Sequence, residues 1–192
     1  MRPTAIPVFR AKSQVLEGRT PYGYRDTEGN ITIGIGHLVP SLAAWLAPPW
    51  GNIDAATLTA EWDCIRLMPF GVEWGAGYYA SSTTSRLSDD AIDRLFEADV
   101  EACEVQARVL FPGYDSFPAD AQMGAMSMIF AMGARNLRGF PLCLAAIRRG
   151  DWAGAAAQCH MSGCSDARNA WTKACFLAAA AHPDDVEAVH VS

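Results

Sequence analysis

One stretch constrains this chain more than any other: Glu17-Gly18-Arg19-Thr20-Pro21-Tyr22-Gly23-Tyr24-Arg25-Asp26-Thr27-Glu28-Gly29-Asn30-Ile31-Thr32-Ile33-Gly34-Ile35-Gly36-His37. The apolar-patterned segment before it, Val8 to Leu16, reads as a helix, which places Glu17 on the last turn and Gly18 at the stop. Two β-prone runs follow, Tyr22 to Arg25 and Ile31 to Ile35. Between them, Thr27-Glu28-Gly29-Asn30 is turn chemistry, with Gly29 able to take positive φ. The expected product is a β-hairpin folded against a helix end. One carboxylate then ends the helix, Asp26 ends the first strand, and the Thr32 hydroxyl lies on the returning strand.

Two carboxylates facing one cleft are what glycoside hydrolysis requires. One protonates the leaving oxygen; the other stays ionised and activates water or stabilises the oxocarbenium ion. A helix-end Glu17 packed by apolar neighbours suits the acid, and a turn-end Asp26 in water suits the anion. A Glu/Asp pair taken at random is more often two ordinary surface carboxylates. Here several residue types and their spacings agree at once.

The string resembles the signature of the bacteriophage-type lysozymes, the muramidases of T-even phages and their relatives, glycoside hydrolase family 24. Glu17 has eight residues between it and Asp26, five more precede Thr32, and Gly34-Ile35-Gly36-His37 follows, all as in that family. The resemblance implies an N-acetylmuramidase that cleaves the β-1,4 bond between N-acetylmuramic acid and N-acetylglucosamine in peptidoglycan. It also implies inversion, with Glu17 as general acid and Asp26 and Thr32 positioning the water. No cofactor and no metal is needed for that acid–base chemistry.

Composition supports a folded chain and excludes some partners. The 192 residues are 51% hydrophobic and 19% charged, with mean hydropathy +0.05, so disorder is not expected and a core is affordable in size. Net charge is −6 and the pI about 5.1, which disfavours nucleic acid and weakens attraction to an anionic cell wall. Apolar runs are too short for a membrane span. No Sec-type segment opens the sequence, so delivery by lysis, a holin or a secretion system is expected for an enzyme acting in the bacterial periplasm or wall. A monomer is expected, with peptidoglycan glycan strands as substrate and an immunity protein or secretion carrier as prospective partners. The six cysteines, Cys64, Cys103, Cys143, Cys159, Cys164 and Cys175, include no CxxC, and Cys159-His160 with Cys164 fits no usual zinc spacing. Buried thiols are the default.

In chain order, residues 1 to 7 read as a tail, with Pro7 opening the first helix. Ser41 to Leu46 is a short helix stopped by Pro48-Pro49 and Gly51; Asn52 or Asp54 caps another, which carries Leu58, Trp62 and Ile65 on one face and ends at Met68-Pro69. Residues 70 to 86 read as a mobile loop. Against the family, residues 39 to 86 look expanded, and the insertion holds Trp45, Trp50, Trp62, Trp74, Tyr78 and Tyr79. Aromatics stack well on sugars, but a small local core is the favoured reading. Lysozyme-like domains of secreted antibacterial effectors are similar here. Ser88 starts a long helix, with a Leu87–Ile92 staple, ended by Pro112-Gly113.

The resemblance extends along the chain. It makes the long helix (88–111) an inter-lobe connector and pairs Asp99 with His37. It places Phe130 and Gln158, with Leu38, against substrate, and brings Arg168 towards the catalytic Glu. The second lobe, 112–182, reads as all helical and joined by the first helix, 8–17. It has helices from Pro118 to Gly133, Phe140 to Arg149, Asp151 onward, and Asp166 to Ala181, and residues 184 to 192 form a frayed acidic tail. The expected fold is α+β, a single two-lobed lysozyme-like domain with a small β-containing lobe (18–87). A wall-binding module without turnover and a glycosidase acting on a chitin-like polymer are the alternatives.

Overall fold

The structure, a computed structural model, describes residues 1–191. Among them are eight α-helices and one three-stranded antiparallel sheet, an α+β architecture. In order these are α1 (Ala5–Glu17), β1 (Thr20–Arg25), β2 (Ile31–Gly34), β3 (His37–Val39), α2 (Leu42–Leu46), α3 (Ala55–Leu67), α4 (Asp89–Leu110), α5 (Ala119–Leu137), α6 (Pro141–Arg148), α7 (Trp152–Gln158) and α8 (Asp166–Ala181). The chain forms two compact units, Ser13–Asp99 and Met1–Lys12 together with the chain from Val100 onward; the divisions fall inside α1 and α4. No helix among the described residues is long and apolar enough to cross a membrane.

Within the Ser13–Asp99 unit, α1 ends where the sequence says it should. Gly18 takes φ 77° and its N–H donates to Gln14 O at 3.0 Å, closing the last turn. The hairpin pairs Tyr24 with Thr32 and Arg25 with Ile31, around a turn in which Gly29 has φ 89°. A third strand, β3, was not expected. It pairs with β2 in the register Ile31–Val39, Thr32–Leu38 and Ile33–His37. Its three residues carry too little pattern to show in sequence, because the pairing partner, not the local propensity, makes the strand.

The insertion builds a core of its own. Trp45, Trp50, Leu58, Ile65 and Tyr79 are buried, and the Trp45 ring packs against Trp50 at 4.5 Å and Trp62 at 6.0 Å between centroids. Both inner indoles satisfy their N–H groups: Trp45 donates to Leu58 O at 2.8 Å and Trp50 to Trp45 O at 2.7 Å. Gly23 of β1 lies against this core so closely that a Cβ there would come within 2.7 Å of Trp45 and Ile65. Trp74 and Tyr78 form a second pair, 4.4 Å apart, with Tyr78 45% exposed. So the favoured reading holds for the inner aromatics, and two remain at the surface.

Residues 70 to 86 are not the mobile loop that their composition suggests. A 3-10 turn spans Ala76–Tyr79, and the Tyr79 hydroxyl donates to Pro69 O at 2.6 Å. Glu61 of α3, only 8% exposed, gathers the Ser/Thr run: it accepts from Thr84 N–H at 2.6 Å, Thr84 Oγ1 at 2.9 Å and Ser85 N–H at 3.1 Å, and from the Ser85 hydroxyl. Leu87 N–H then donates to Pro21 O at 2.7 Å, tying the end of the insertion to β1. Arg19, next to the helix stop, reaches Asp93 at 2.8 Å and Asp89 at 3.1 Å on α4.

The other unit is helical, as expected. In it Phe9 of α1 meets Phe130 of α5 edge-on at 6.0 Å and Trp171 of α8 at 5.9 Å. The α5 segment from Ala119 to Ile129 is buried throughout and packs on α8, where Ser127 and Thr172 share a buried hydrogen bond of 2.7 Å. Gly133 breaks α5 with φ 72° and ψ 151°, and helix resumes to Leu137, past the expected end. Cys143, Cys159 and Cys175 are buried, and burial pushes all three thiols up, Cys143 to about 12.

Both chain ends depart from expectation. The first helix starts at Ala5, three residues before Val8, and Pro7 occupies its first turn, where its missing N–H has no partner to lose. The C-terminal residues are docked, not frayed. Ala119 N–H donates to Val186 O at 3.0 Å, and the buried Asp120 carboxylate accepts from His190 N–H at 3.0 Å and Val191 N–H at 3.2 Å. Those bonds supply the partners that a buried carboxylate needs. The last position of the expected tail, Ser192, lies outside the described residues.

Candidate active site

Three sequence-selected groups, Glu17, Asp26 and Thr32, fall in one unit, Ser13–Asp99. Glu17 is the last residue of α1 and is half-buried. Its side chain lies against Gly36: a Cβ on Gly36 would stand 3.1 Å from Glu17 Cγ and 3.2 Å from Cδ. Gly36 also has φ 70°, so both the backbone and the space call for glycine. The second glycine of the Gly34-Ile35-Gly36-His37 string therefore lets the chain pass close beside the helix-end carboxylate.

Asp26 follows β1 directly and is held by its own turn. Its carboxylate accepts from Glu28 N–H at 2.9 Å, Asn30 N–H at 2.8 Å and Asn30 Nδ2 at 3.0 Å. Its backbone N–H donates to Asn30 O at 2.9 Å, and its carbonyl accepts from Gly29 N–H at 3.1 Å. This Asx-type network fixes where the carboxylate points. All the donors come from residues 28 to 30, so orientation follows the shape of the turn.

Thr32 is 5% exposed and stands between Tyr24 on β1 and Leu38 on β3, its cross-strand partners. Directly opposed residues share a sheet face, and Tyr24 and Asp26 are two apart along the strand. Tyr24, Thr32 and Leu38 thus form a row, with Asp26 beyond Tyr24 on that side. Leu38 is 53% exposed, so an apolar side chain faces outward at the end of the row.

Tyr24 is a candidate site residue that sequence reading missed. Its phenol is pushed up to about 12, by burial first and then by the negative charges of Glu17 and Asp26. The phenol therefore stays protonated well above neutral pH. The signal was available in the strand period, since Tyr24 precedes Asp26 by two.

His37 and Asp99 meet as expected. Nδ1 lies 2.9 and 3.0 Å from the two carboxylate oxygens, a geometry in which the ring N–H donates to both. The pair fastens the start of β3 to α4. The remaining selected residues belong to the other unit. Phe130 is half-buried on α5, Gln158 is the exposed last residue of α7, and Arg168 is buried in the first turn of α8, its N–H donating to Ser165 Oγ at 3.3 Å. Among the described residues, no group of three or more His, Cys, Asp or Glu side chains is placed to hold a metal ion.

An α+β chain with a helix-end Glu, a turn-held Asp and a strand Thr gathered around a three-stranded sheet has the build of a lysozyme-like protein. The chain is 29% identical over 147 residues to a protein of Dictyostelium discoideum described as "Probable T4-type lysozyme 2", covering 73% of this chain and 74% of that one. No family model matches the chain. The likeness is thus to a T4-type lysozyme, over about three quarters of each chain.

Proposed function

We propose that this protein is a lysozyme-like peptidoglycan hydrolase, an inverting N-acetylmuramidase. Glu17 protonates the glycosidic oxygen. Asp26 and Thr32 hold the water that attacks the anomeric carbon from the opposite face, Asp26 taking its proton. Tyr24 lies on the same face of the sheet, and the exposed Leu38 borders the sugar track. Phe130, Gln158 and Arg168 are assigned to substrate contact and support by family resemblance alone.

The observation that carries this reading is the Asp26 network. Three donors aim one carboxylate, and a buried strand threonine lies across the sheet from its neighbour Tyr24. A wall-binding module has no use for a carboxylate preset by three donors in the unit that also carries the half-buried Glu17. The relative's description supports the same substrate class. The test is release of reducing ends from purified peptidoglycan. Wild type should release them, and Glu17→Gln, which keeps shape and removes the proton, should lose activity by about 10² to 10⁴. Folded Glu17→Gln protein of near-wild-type activity would remove Glu17 from the acid role. Activity on chitin exceeding that on peptidoglycan would replace the substrate.

A further inference from the structure

The insertion reaches the Asp26 turn from behind. Alternation along β1 sends Gly23 and Arg25 to the side opposite Tyr24 and Asp26. Gly23 abuts Trp45 and Ile65 of the insertion core. Arg25 does more. Its Nη1 donates to Met68 O at 2.7 Å and Arg66 O at 3.1 Å, where α3 ends, and its Nε donates to Gly29 O at 3.0 Å inside the turn. The guanidinium lies 4.1 Å from the Phe70 ring centroid. That ring also covers Gly29: a Cβ there would meet Phe70 ring carbons and Arg25 Nη2 at 2.9 Å.

We propose that the Arg66–Phe70 segment of the insertion braces the Asp26 turn, making Arg25 and Phe70 positioning residues for the Asp26 carboxylate. This rests on the reading of Asp26 as the residue that holds the attacking water. The turn has two faces. The inner one is the Asx network, which ties the carboxylate to Glu28 and Asn30. The outer one is open to solvent at Thr27, Glu28 and Asn30 and is closed by Phe70 and Arg25 at Gly29. A planar guanidinium suits this place, since one fork can bridge three carbonyls on two segments while its face stacks on a ring. Two elements distant in sequence are thereby locked to the residue that aims the water. Positional error of about 1 Å can cost about 10²-fold in turnover, so a brace on a solvent-exposed turn has catalytic consequences.

The test compares Phe70→Ala and Arg25→Gln with Phe70→Tyr and Glu61→Gln. Glu61 anchors the Thr84–Ser85 end of the insertion and makes none of the Arg25 or Phe70 contacts at Gly29. Phe70→Ala and Arg25→Gln should lower kcat on soluble peptidoglycan fragments by about tenfold with KM unchanged. Phe70→Tyr should restore kcat, and Glu61→Gln should lower the melting temperature while keeping it. Amide exchange at Glu28 and Asn30 should rise by about tenfold or more in Phe70→Ala, with β2 and β3 unaffected. Wild-type kcat and unchanged exchange in Phe70→Ala would overturn the brace, as would a kcat loss that follows melting temperature equally in Glu61→Gln. If the wild-type protein releases no reducing ends, the hydrolase reading fails, and the exchange data still decide the brace.

Discussion

At the scale of single residues, Gly36 shows how tightly the site is drawn. A side chain there faces two penalties: a left-handed backbone and the Glu17 side chain 3.1 Å away. Gly36→Ala should cost about 1 to 2 kcal/mol from the backbone alone. It should also displace the Glu17 carboxyl and lower turnover by about tenfold or more. Denaturant titration and turnover, measured together, check this. Lost stability with intact turnover would mean that the Glu17 position does not depend on Gly36. The motif residues were legible because turn and helix-stop chemistry is local: Gly18 and Gly29 take the positive φ that their places require. Arg25 was not legible as a brace, because two of its three carbonyl partners lie 41 and 43 residues away.

At the scale of elements, capping residues marked three of the eight described helix starts. Asp54 accepts from Thr57 N–H, Asp151 from Gly154 N–H and Ser88 from Ala91 N–H, each within its own first turn. What escaped was every element made by a distant partner: β3, the docked C-terminal residues, and the Ser/Thr run gathered by Glu61. The last looked like loop because Ser and Thr solvate themselves, and their partner Glu61 lies 23 residues before Thr84. Burial would raise the Glu61 carboxyl, but hydrogen bonds from Ser85 and Thr84 outweigh it and hold it below the usual carboxylate range. The folded state therefore favours the anion. Its contribution is complete above the unfolded Glu pKa, about 4.3, and fades as pH falls through the lower folded value. Glu61→Gln should cost about 1.5 to 3 kcal/mol at pH 7, the worth of charged hydrogen bonds, and much less near pH 3. Thermal melts at both pH values check the sign. A loss that is equal at both would show that charge plays no part in the clamp.

At the scale of the whole molecule, the reason for the insertion was not readable. Residues 39 to 86 carried a visible aromatic excess, and the inner aromatics do form a core. Their functional meaning comes from geometry: the insertion supports the back of the sheet whose front carries Tyr24, Asp26 and Thr32. Net charge of −6 argues that the protein gains little by long-range attraction to an anionic wall, so its activity should rest on the site itself. The chemistry of that site makes a stereochemical commitment. If Asp26 and Thr32 hold the water opposite Glu17, as proposed, the anomeric centre must invert. Proton NMR of fresh cleavage products from purified peptidoglycan tests this most directly. The account predicts a new N-acetylmuramic acid reducing end that appears first as the α-anomer, before mutarotation. A β-anomer formed first would mean a covalent intermediate, and would contradict the assignment of Asp26 and Thr32 to the attacking water.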